Sequence, residues 1–190
     1  GIENVQKRIG LEAARALYSL SRQGSEYVRG EIASSDPAIK MGDGWIVALR
    51  HRDAGDLKSH RDMMARDYGE ELQFLSTEQT REKLNSVRYF ESISNSGAFH
   101  IHPLKYSLML AREAEKSGAS LHESSPALAV EKLGNEWRVR CAEGEVIAQH
   151  VVHCVSSLDR TIHKASGRAV LPVATYVAVT EPLNQDAVRT

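Results

Sequence analysis

The sequence predicts a mixed α/β fold made of pieces of two layers. Three observations lead there. Residues 11–34 carry apolar side chains at helical spacing. The first half alternates isolated strand-like runs with helices, whereas the second half follows a helix with an antiparallel stretch turned at glycines 134 and 144. The run Val151-Val152-His153-Cys154-Val155 is apolar in both alternations, which suits a strand buried on both faces of a parallel sheet.

In chain order, the first helix covers residues 11–34, with Leu11, Ala14, Leu17, Tyr18, Val28 and Ile32 on or near one stripe. Pro37 lies beyond its end as a stop. Gly42 and Gly44 read as turn residues before a short strand at 45–50. Residues 56–68 read as a second helix, closed by Gly69 where a left-handed residue is favoured. A third helix at 76–84 opens with Ser76 and Gln79 at capping-box spacing, so that hydroxyl and amide each satisfy a free backbone N–H. An extended stretch, 87–101, is broken near Asn95 to Gly97. A fourth helix starts at Pro103, whose missing N–H would be unpaired there anyway. Leu104, Leu108 and Ala111 form its apolar stripe, and Gly118 ends it. Residues 119–122 read as a short strand. Residues 128–130 and 136–141 form a hairpin around Gly134-Asn135. Glu143-Gly144 turns the chain into a strand at 146–155, and a short helix and a strand at 173–179 follow.

Composition removes several function classes. The 190 residues are 42% hydrophobic and 26% charged, ordinary for a globular chain. A net charge of −1 gives no field of one sign for nucleic acid or an anionic membrane. No apolar run approaches bilayer length, so no membrane span is expected. No secretory signal pattern opens the chain. Cys141 and Cys154 form no C-x-x-C pair and imply no disulfide framework, so a reducing, cytoplasmic setting is expected. Neither Gly1 nor Thr190 has the loose polar surroundings usual at a terminus, and both are expected to be cuts through a longer polypeptide.

Motifs with chemistry are few. There is no G-x-S-x-G and no H-E-x-x-H. The one G-x-G, Gly42-Asp43-Gly44, leads into a strand, whereas dinucleotide binding needs a helix there. His100 and His102 alternate along an extended segment and could share a face, but no third ligand stands at a recognisable spacing, so no metal is expected. His102, just before Pro103, suits a helix cap, with His100 packing near a domain junction. Cys141 and Cys154 read as small buried apolar residues. Trp45, Tyr89, Phe90, Phe99 and Tyr176 read as core aromatics.

A resemblance adds to this reading. The segment Gly97-Ala98-Phe99-His100-Ile101-His102-Pro103-Leu104-Lys105-Tyr106, followed by Gly118-Ala119, is similar to D-amino-acid-oxidase-like flavoproteins, and within them to gamma-glutamylputrescine oxidase-type enzymes. Gly10-Leu11-Glu12-Ala13-Ala14-Arg15-Ala16-Leu17 and Thr180-Glu181-Pro182-Leu183 resemble them too, in collinear order. The resemblance implies FAD and oxidation of a C–N bond in a small-molecule amine or amino acid. It implies a partial two-domain fold, with 1–36 and 102–168 in a discontinuous FAD-binding domain and 37–101 and 169–190 in a substrate domain. It places the dinucleotide fingerprint ahead of residue 1. Ser125-Pro126-Ala127 resembles the step into a strand whose backbone contacts adenine, making Ala127 a cofactor contact; it also reads as an ordinary strand start. Cys154, Val155, Ser156 and Ser157 stand where the family has small residues close to the cofactor, although the family's usual Ala-Thr is replaced. His100 would lie toward the substrate side. No catalytic residue follows from the pattern. A second reading is a non-enzymatic binding or interaction fragment that has lost its cofactor.

Overall fold

A computed structural model describes residues 1–155, 162, 164–171 and 173–177. The described residues up to Gly118 form one compact unit, and those from Ala119 onward form another.

The first unit runs α1 (Ile2–Ile9), α2 (Leu11–Ser35), a 3-10 turn (Pro37–Ile39), β1 (Lys40–Ala48), α3 (Gly55–Tyr68), β2 (Gln73–Leu75), α4 (Thr77–Leu84), β3 (Ser92–Ile101) and α5 (Pro103–Lys116). Its antiparallel sheet has the order β1-β3-β2. Local chemistry explains the helix ends. Gly69 takes φ 65 after α3, and its N–H reaches the carbonyls of Ala65 and Met64. Ser76 and Gln79 make both halves of the capping box on α4. His102 caps α5, its Nδ1 accepting from the Lys105 N–H at 3.4 Å, while its own N–H donates to the Ile39 carbonyl at 2.8 Å.

Two apolar clusters hold this unit together. Leu57 and Met64 of α3 pack with Leu72 and Ile93, and Tyr18, Leu49 and Phe74 lean on them. Ile32 of α2, Ile39 and Met109 of α5 form the second, joined by Val28, Phe99, Ile101 and Tyr106. Thr80 and Ser92 are fully buried and satisfy each other across 2.8 Å, so α4 is fixed to β3 without an orphaned hydroxyl.

In the second unit β4 (Ala129–Leu133), β5 (Glu136–Arg140) and β6 (Glu145–Ala148) form an antiparallel sheet in sequence order, and α6 (Lys164–Ala169) follows. Gly134 turns the first hairpin at φ 62, a left-handed value that suits glycine. The second turn is closed by the Cys141 N–H on the Gly144 carbonyl at 2.8 Å.

Several expectations are corrected. The strand at 45–50 begins earlier, at Lys40, and Gly42 and Gly44 lie inside it. The break at 95–97 is a shift of register within a continuous β3. On α5, Tyr106 and Met109 face the core, while Leu104 and Leu108 stay exposed. Residues 119–122 form no strand. The strand expected at 146–155 ends at Ala148, paired with Trp137, and β5 itself runs out one residue further on, at Glu136. Residues 151–155 are therefore not a buried strand, and Val152 and Val155 are exposed. Residues 173–177 are not a strand; 178 and 179 lie outside the described residues.

Candidate functional site

His100 sits on β3 between Phe99 and Ile101, both packed in the second cluster. Successive strand residues point to opposite faces, so His100 points away from that core, and it is exposed. Its partner across the sheet is Gly42. The imidazole lies against this glycine so closely that a Cβ there would stand 2.7 Å from its Cε1. Gly44, at φ 79, faces the Asn95 carbonyl in the same way, at 3.3 Å from a would-be Cβ. His102, next along, is engaged as the cap of α5. Among the described residues no group of three or more His, Cys, Asp or Glu could hold a metal.

Beside this strand lies a polar crevice of about 250 Å³ between α2 and β3. Glu70 is buried in its wall, with one carboxylate oxygen paired to Arg22 and the other accepting from Asn95 Nδ2 at 2.7 Å. Burial, and then the Glu70 carboxylate, push the Tyr18 hydroxyl above its ordinary pKa. Two helical turns along α2 from Arg22, Arg29 donates to the Gly97 carbonyl at 2.6 Å and lies 4.3 Å over the Phe99 ring. The sequence gives no local signal for this group, because its members stand at 18, 22, 29, 70 and 95.

In the second unit, Ala127 is half-buried in the segment leading into β4. Ladder bonding begins one residue later, where the Leu128 N–H donates to the Arg140 carbonyl at 2.7 Å. The Cys141 thiol donates to the Ser125 carbonyl at 3.7 Å, tying the strand approach to the end of β5. Cys154 and Val155 are exposed, so Cys154 is not the buried apolar residue expected. Ser156 and Ser157 lie outside the described residues. β4 starts opposite Arg140 and β6 ends opposite Trp137, so the sheet sends Ala127 and residue 149 out from opposite ends.

A diphosphate needs free backbone N–H groups at a helix N-terminus. The only G-x-G of the chain instead lies within β1, with His100 over Gly42 and the Asn95 carbonyl over Gly44.

The family model described as FAD dependent oxidoreductase matches residues 5–190. Gamma-glutamylputrescine oxidoreductase of Escherichia coli is 26% identical over 99% of this chain and 44% of its own length. Glycine oxidase from Geobacillus kaustophilus superposes with a TM-score of 0.63 at 19% identity, over 81% of this chain and 42% of that one. L-proline dehydrogenase from P. horikoshii gives 0.64 at 16% identity, over 77% and 40%. The two structural likenesses establish the fold. The chain spans less than half the length of the curated relatives it matches, 43% to 44%.

Proposed function

Since this chain belongs to the family of FAD dependent oxidoreductases, we propose that it is one part of a longer flavoenzyme that oxidises the C–N bond of an amine or amino acid. The observation that carries this reading is the collinear family match along almost the whole chain, beside a relative named for gamma-glutamylputrescine. Bound FAD would take a hydride equivalent from the carbon next to nitrogen, and water would hydrolyse the resulting imine.

The chain's own part is binding and orientation. Residues 1–36 and 102–168 would belong to the FAD-binding domain, and 37–101 and 169–190 to the substrate domain. Ala127 would meet the adenine side through its backbone. Cys154, Val155, Ser156 and Ser157 would let the chain approach the cofactor closely, and His100 would stand on the substrate side. The diphosphate cradle would come from residues outside these 190, because the chain's one G-x-G is filled.

The test is a flavin spectrum of the purified full-length protein, followed by turnover with glycine or gamma-glutamylputrescine and assay of the carbonyl product. Bound flavin and a carbonyl product support the reading. A full-length protein without flavin would instead be read as a binding module.

A further inference from the structure

The first apolar cluster opens into a cavity of about 750 Å³ between β1, α3 and the start of α1. Trp45, Val47 and Leu49 alternate along β1 and just past its end, so they share one face of the sheet. Leu49 packs on the cluster, whereas Trp45 and Val47 stay 39% and 48% exposed over the cavity. Leu57, Met63 and Ile93 complete an apolar floor. The rim is different. It carries the carboxylates of Glu3, Asp53 and Asp56 with His51 and His60, and no lysine or arginine lines it. The cations on the neighbouring turns are engaged elsewhere. Lys58 and Arg61 lie over the Phe74 ring, at 5.1 and 5.6 Å, and Arg52 lies over Phe90, at 5.5 Å.

We propose that this cavity binds a small organic cation, whose hydrocarbon body lies on the Trp45–Val47 floor while its positive charge faces the carboxylate rim. Charge complementarity selects the occupant. His60 Nδ1 lies 2.9 Å from Glu3 Oε1, and this hydrogen bond holds the Glu3 carboxyl below its ordinary range. Asp53 accepts from the Gly55 N–H at 3.0 Å through one oxygen and keeps the other. Among the described residues the Asp56 carboxylate has no hydrogen-bond or ion-pair partner. An indole face attracts a cation and gives an anion no such gain. The volume suits a small molecule, whose sites run roughly 300–1,000 Å³. None of the residues proposed to meet FAD or its substrate lines this cavity, so the site does not depend on the flavin reading.

Two positions separate this role from folding. Asp56 is exposed in the first turn of α3, and Trp45 lies outside the buried cluster. Asp56→Asn removes one charge from the rim and keeps its shape. Trp45→Ala removes floor area without opening the core.

The experiment titrates the full-length protein by calorimetry with benzyltrimethylammonium, a permanent cation. Its neutral and anionic counterparts are 2-phenylethanol and phenylacetate. The cation should bind saturably and about tenfold tighter than the alcohol, with phenylacetate weaker still. Asp56→Asn should raise the Kd about fivefold, and added salt should shrink that difference. Trp45→Ala should raise the Kd about tenfold through lost apolar area and the lost ring face. Should Trp45→Ala fail to fold, Asp56→Asn and the three-ligand comparison decide. Equal binding of cation and alcohol would overturn the proposal. So would a Kd that either folded variant leaves unmoved, because the probe would then sit elsewhere. No saturable binding up to millimolar concentration would also overturn it, including where other parts of the full-length protein fill the cavity.

Discussion

Asn95 and Glu70 are joined by a 2.7 Å hydrogen bond, Nδ2 donating to Oε1, at the point where β3 shifts register against β1. The other Glu70 oxygen pairs with Arg22, so one buried carboxylate ties α2 to the irregular part of the sheet. Glu70→Ala should cost about 2 kcal/mol. It leaves the half-buried Asn95 amide short of an acceptor, whereas the half-exposed Arg22 can turn to water. Urea midpoints of wild type and variant measure it, and a loss within experimental error would refute the role.

Acid should weaken the same unit through Asp67. Arg66 donates to both of its oxygens, from Nε at 2.9 Å and Nη2 at 2.8 Å, and holds the carboxyl below its ordinary range. A depressed carboxylate stabilises the fold above its unfolded pKa, about 4. That contribution disappears as pH falls through the lower folded value. Asp67→Asn should therefore flatten the fall in stability below about pH 4. Unfolding midpoints across this range check it; parallel profiles for the two proteins would contradict it.

The capping box gives a third expectation. Ser76→Ala removes the acceptor for the Gln79 N–H and should cost about 1 kcal/mol. Loss of hydrogen-exchange protection confined to the first turn of α4 would accompany it.

What the sequence made legible were features written within a few consecutive residues. α2, the Gly69 stop of α3, the Ser76–Gln79 box, the His102 cap before Pro103 and the Gly134 hairpin all have local signals, and all are present. What it hid depends on partners far along the chain. Gly42 looked like a turn residue because its neighbour across the sheet, His100, stands 58 positions away. The run 151–155 looked like a buried strand because composition says nothing about whether a partner strand is at hand. The Arg22–Glu70–Asn95 link joins α2 and β3 through the loop after α3 and leaves no pattern to read. α1 went unread although Ile2, Val5 and Ile9 stand at helical spacing, because eight residues carry too few turns for the pattern to stand out.

The cofactor reading gives a fourth expectation. The 190-residue chain alone should not bind FAD at micromolar concentration, because the diphosphate charge has no cradle to meet its desolvation cost. In the full-length protein Ser156→Trp should weaken FAD binding by blocking close approach. Flavin fluorescence titrations decide both: tight binding by the short chain would refute the missing cradle, and an indifferent Ser156→Trp would remove residues 154–157 from the cofactor site.

The most direct test of amine oxidation by the full-length protein is its half-reaction without oxygen. Glycine or gamma-glutamylputrescine, added anaerobically to the flavin-loaded protein, should bleach the oxidised-flavin absorbance and release one equivalent of carbonyl product per flavin. A flavin that chemical reductant bleaches but neither amine does would contradict it.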